Sequence, residues 1–238
     1  LSAMVALGAP VANAATVVVV NLNGAGVGFN DTTPVAPVGG NPGTTVGQQR
    51  LIAFQYAADI WGARLKSSVP IRVGAQFSAL SCTTNSAVLG SAGPTSVHQN
   101  FVGAPVANTW YVQAQANAHT GSDLSPAQND ISANFNSNIG TPGCLQSGGW
   151  YYGLDSNPPS GKTDFVTVLM HELGHGLGFL SLFSETTGAK LSGNDDAYMR
   201  NLEVHGASPP DLPSMTDAQR LAAIFYLALF APISPMWL

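Results

Sequence analysis

His171 and His175 stand four residues apart in the string His171-Glu172-Leu173-Gly174-His175. On an α-helix that spacing projects both side chains from one face, about one turn apart. Two imidazoles so placed can bind one Zn²⁺ at roughly 2.0–2.1 Å each. Glu172 follows by one residue and turns toward the neighbouring face, where it can reach a metal-bound water without ligating. Zinc lowers the pKa of such a water to about 7. A carboxylate there accepts the proton as hydroxide attacks a carbonyl, then returns it to the leaving amine. The competing account is two surface histidines on a helix.

A catalytic zinc normally has three protein ligands and one open position. Downstream candidates for the third ligand include Ser181, Asp195, Asp196, Glu203 and His205. A neutral hydroxyl is a poor zinc ligand, whereas carboxylate and imidazole are ordinary ones. Each of these residues could equally be a solvated loop side chain. His98, His119, Asp123 and Asp130 lie in loop-rich stretches and are candidates for a structural ion or for simple hydrogen bonding.

The histidines need a helix to carry them. Thr163 or Asp164 can cap one that runs through Phe165, Val166, Leu169 and Leu173 to about Leu177. An earlier helix is predicted after a Thr45/Gln48 capping pair, with Leu51, Phe54, Ala58, Trp61 and Leu65 forming an apolar stripe that reads as core rather than site. Thr16–Val20, residues 71–77 and residues 131–135 have strand character, the last two by alternation. Residues 79–128 show no long period and predict a structured loop region with one edge strand at most. Thr216 and Gln219 form another capping pair, opening a last helix at Asp217.

The chain has 238 residues, 45% hydrophobic and only 9% charged, with a net charge of −5 and eight Lys+Arg. That length suits one domain with a real core. So few cations cannot gather phosphates, which argues against a nucleic-acid partner. Cys82 and Cys144 are the only cysteines, and a lone pair in a secreted chain is usually one disulfide. Residues 1–15 read as a signal-peptide remnant, with Ala12-Asn13-Ala14 as the small-x-small pattern, which leaves 16–238 as the domain. The apolar run from Phe225 to Pro232 is short of the about 20 residues of a membrane span and is interrupted by proline. Truncation or an altered reading frame would account for it, and a buried terminal helix is the second explanation.

The longer string His171-Glu172-Leu173-Gly174-His175-Gly176-Leu177-Gly178 resembles the metzincin pattern H-E-x-x-H-x-x-G-x-x-H. The order of elements also resembles a metzincin catalytic domain, and the nearest likeness is to secreted bacterial zinc peptidases. The resemblance implies an α+β domain with a mixed twisted sheet, two long helices and the zinc helix flooring a cleft. It implies a secreted zinc metalloendopeptidase that acts on polypeptide, with His171 and His175 as ligands and Glu172 as base. It implies further that Gly178 takes a positive φ to end the helix and swing in a third ligand. Ser181 occupies that third-ligand position, which departs from the pattern. Asp196, heading Asp-Ala-Tyr-Met, is the preferred replacement, and Met199 is either a methionine turn or core packing. The departure leaves open a rival of another class, an inert secreted binding or adhesion domain that keeps the fold.

Overall fold

The computed structural model describes residues 14–230, and of 225–230 the backbone alone. Nearly all of the expected signal remnant lies outside the described residues. Ala14 and Ala15 lie within them, and the Ala15 N–H donates to the Gly62 and Leu65 carbonyls.

In chain order the elements are β1 (Val17–Asn21), α1 (Val46–Gly62), β2 (Ile71–Ser78), β3 (Gly90–Pro94), β4 (Val97–His98), β5 (Thr109–Val112) and α2 (Gln113–Thr120). There follow β6 (Ile131–Asn136), β7 (Trp150–Tyr151), β8 (Thr163–Asp164), α3 (Phe165–Gly176), β9 (Asp195–Asp196) and α4 (Asp217–Phe230). The main sheet runs β1-β2-β6-β3. β1, β2 and β6 are parallel, while β3 is antiparallel and forms an edge. The fold is therefore mixed α+β, and no helix among the described residues is long and apolar enough to cross a membrane.

Helices α1 and α3 pack on each other, and α3 also packs against β3. Phe165 opens α3 and is fully buried, within 5.0–5.4 Å of the rings of Phe135, Trp150, Phe77 and Tyr152. Burying such a ring stabilises by roughly 1.5–3 kcal/mol, so the start of the histidine-bearing helix is fixed by the core. Trp61 donates its indole N–H to the Met170 carbonyl at 3.2 Å, tying α1 to α3 beside His171.

The helix signals act as expected at α1 and α4, with one variation. Thr45 accepts the Gln48 N–H at 3.2 Å, but the Gln48 side chain reaches Thr44 rather than the cap itself. At α4 the exchange is reciprocal: Thr216 accepts the Gln219 N–H at 3.3 Å, and Gln219 accepts the Thr216 N–H at 2.9 Å. Residues 79–128 hold more regular structure than expected. Helix α2 buries Gln113 and Asn117 alongside Ala114 and Ala116, so it shows no apolar stripe in sequence. Cys82 and Cys144 form a disulfide with Cα atoms 5.2 Å apart, joining the segment after β2 to the loop before β7.

Candidate functional site

Asp164 caps α3 by accepting the Val166 N–H at 3.3 Å. Two turns further on, the Nε2 atoms of His171 and His175 face each other 3.1 Å apart, with the rings nearly perpendicular at 89°. Two nitrogen ligands on one tetrahedral zinc, each at 2.0–2.1 Å, lie about 3.3 Å apart, so the imidazole pair fits the ion's demand. The orientation has a cause. His175 Nδ1 lies 2.9 Å from the Phe179 carbonyl oxygen. A carbonyl only accepts, so Nδ1 carries the hydrogen and the neutral ring keeps a lone pair on Nε2. Metal-bound histidines are oriented by this kind of partner. Burial, with the neighbouring His175, holds His171 below the ordinary imidazole pKa, which keeps its lone pair available near neutral pH.

Gly178 makes the carbonyl contact possible. Its φ of +111° turns the chain just past α3, and a Cβ there would lie 2.3 Å from Gln115 Nε2. The Phe179 N–H then donates back to Gly174 O at 3.0 Å, and its carbonyl meets His175. Gly176 is needed for a different reason: a Cβ would sit 2.4 Å from Ile131 Cγ2, pushing α3 off the sheet.

Glu172 is buried, and it lines the same cavity of about 450 Å³ as both histidines and the edge residues Gly90, Ser91 and Ala92. Burial pushes its carboxyl above the ordinary value, while His175 and the Ala92 N–H draw it partly back. A raised pKa suits a group that must take up and release a proton.

Among the described residues, no third His, Cys, Asp or Glu joins the histidine pair. Asp196 is buried with both oxygens engaged: Oδ2 accepts from Ser181 Oγ and the Leu182 N–H, and Oδ1 from the Met199 N–H, each at 2.7 Å. It thus organises the loop after the helix and touches the cavity through Ser181, which lines it. Asp195 pairs with Lys190 at 2.7 Å and with Arg200 at 3.0 Å. Glu203 and His205 are exposed. Met199 is fully buried in a second apolar cluster with Phe183, Leu212 and Met215.

The other expected candidates lie elsewhere. His98 contacts Ser96 Oγ at 3.2 Å, and His119 packs edge-on against Tyr111. Asp130 is buried and accepts the Arg72 N–H and the Asn117 amide, each at 2.7 Å. Trp61 belongs to the apolar stripe of α1, yet it lines a recess beside His171 and His175 together with Phe179, whose ring lies 6.1 Å away. An indole on a helical stripe reads as core, and only its contact with α3 marks it as a neighbour of the site.

A family model described as SPBPB7E8-like matches residues 43–203. That span is most of the chain and runs from the start of α1 past β9, so the protein belongs to the SPBPB7E8-like family. No curated protein and no solved structure matches it.

Proposed function

We propose that this protein is a secreted zinc-dependent peptidase of metzincin-like architecture. The observation that carries the reading is the pair of imidazole nitrogens 3.1 Å apart, one ring fixed by the Phe179 carbonyl, with Glu172 beside them in one cavity. Zn²⁺ held by His171 and His175 would supply Lewis acidity toward a water and a peptide carbonyl. Glu172 accepts the proton that the attacking water loses and delivers it to the departing amine. Its burial strengthens it as a base. The edge strand β3 borders the cavity and has β6 on one side only. An extended polypeptide adds along such an edge through main-chain hydrogen bonds, which brings its carbonyls over Glu172. Ser181 lines the same cavity with its proton directed to Asp196, and the oxygen polarised in this way would complete the ligand set in place of a free Asp196 carboxylate. The disulfide accords with an oxidising compartment.

A second reading, an inert secreted binding domain, is favoured by one observation: among the described residues no third His, Cys, Asp or Glu is grouped with the pair so as to share a metal ion. Metal analysis and casein hydrolysis with and without a chelator decide between the two. Stoichiometric zinc and chelator-sensitive hydrolysis support the peptidase. Folded protein that retains no zinc and cleaves nothing supports the inert domain.

A further inference from the structure

The cavity beside Glu172 has an apolar wall, formed in part by Phe183, Leu202 and Ile224. Apart from Glu172, its one charged side chain is Glu185. No lysine or arginine lines it, and residues 1–13 and 225–238, outside the described side chains, contain no Lys, Arg, His, Asp or Glu at all. After α3 the sequence has only three cations, Lys190, Arg200 and Arg220. Each is engaged: the first two with Asp195, the third with Asp217. Glu185 is exposed and forms no ion pair among the described residues. Its turn is braced, since Ser184 Oγ accepts the Thr186 and Thr187 N–H groups at 3.3 and 3.2 Å, and the Gly188 N–H donates to Ser184 O at 2.7 Å.

An apolar wall ending in an unneutralised carboxylate complements a long aliphatic stem with a cationic head. We infer that this cavity takes a lysine or arginine side chain of the bound polypeptide, with the stem on Phe183, Leu202 and Ile224 and the charge at Glu185. This assignment names the substrate class for the peptidase reading and rests on it. Glu185 is then a specificity-determining residue. An acidic peptide side chain is disfavoured at this position, because its charge would meet the Glu185 carboxylate, which no lysine or arginine of the cavity neutralises.

The test separates binding from turnover. Zinc-loaded Glu172→Gln protein is titrated with matched peptides bearing lysine, norleucine or glutamate at one position, scanned along an otherwise neutral sequence. At one position lysine binds most tightly and glutamate most weakly. The lysine-over-norleucine ratio falls about fivefold when Glu185→Gln is added, the scale of a partly exposed ion pair. Glu185→Asp retains most of the ratio, and added salt shrinks it in the parent protein. A ratio that Glu185→Gln leaves unchanged, or no preference for lysine at any position, overturns the inference. Wild-type protein that binds with this preference but cleaves none of the peptides overturns the peptidase reading and leaves the cation-accepting cavity standing.

Discussion

Ser181 donates its hydroxyl proton to Asp196 Oδ2 at 2.7 Å, so two residues that compete in the sequence as metal donors are a single hydrogen-bonded unit. A carboxylate that takes the hydroxyl proton leaves the oxygen's lone pairs free and enriches them. This is how outer partners tune metal ligands, and losing one typically costs 10–100-fold in affinity. Zinc affinity measured by chelator competition should therefore fall about tenfold in Ser181→Ala and in Asp196→Asn. The double variant should lose no more than the worse single one. Wild-type affinity in both would show that this unit contributes nothing. Loss of zinc in His205→Ala would instead indicate a three-histidine site. His171→Ala and His175→Ala should each abolish stoichiometric zinc.

Glu172→Gln should leave zinc bound while lowering peptide hydrolysis by at least about 10²-fold, the scale of general acid–base catalysis. The amide nearly matches the carboxylate in shape and cannot accept the proton. Parallel metal analysis and turnover on one preparation provide the check. Turnover within a few-fold of wild type would assign the base to another group.

The elements that carry the site were the legible part. Periodicity and caps locate α1 and α3, a capping pair alone locates α4, and alternation locates β2 and β6, because a buried regular face or a cap is a local signal. The histidine pair followed from spacing alone. The loop after α3 was not legible, since Asp196 works through contacts with Ser181 and Leu182, 14–15 residues earlier in the chain. No local pattern encodes such a contact. Helix α2 escaped for another reason: it fills its buried face with Gln113 and Asn117 as well as alanines, so the buried face leaves no apolar period to read.

The Cys82–Cys144 bridge spans 62 positions. Closing so long a loop restricts the unfolded chain, and replacing both cysteines by serine should cost roughly 2–4 kcal/mol. Denaturant unfolding of the two proteins at equal pH measures the difference. An unchanged midpoint would mean that the segments before and after the bridge hold together without it.

The last prediction concerns acid. Burial pushes the Asp130 carboxyl above its ordinary pKa; the nearby Asp123 pushes it further, while the Arg72 N–H opposes the shift. The folded state therefore holds this proton more tightly than the unfolded chain does. The resulting contribution to stability is complete below the unfolded-state pKa and is lost as pH rises through the raised folded-state value. The repulsion grows as rising pH ionises Asp130. Asp123→Asn removes one charge and keeps the Oδ1 acceptor that receives the Ser125 N–H at 2.9 Å. The variant should be more stable than wild type at pH 7, by about 0.5–1 kcal/mol for a partly exposed pair. The gain should shrink toward pH 3, as acid protonates the Asp130 carboxylate that Asp123 repels. Urea midpoints at the two pH values test this directly. An equal gain at both would trace the effect to backbone or solvation changes at Asp123, and a loss at pH 7 would mean that the Asp123 charge is serving a favourable contact.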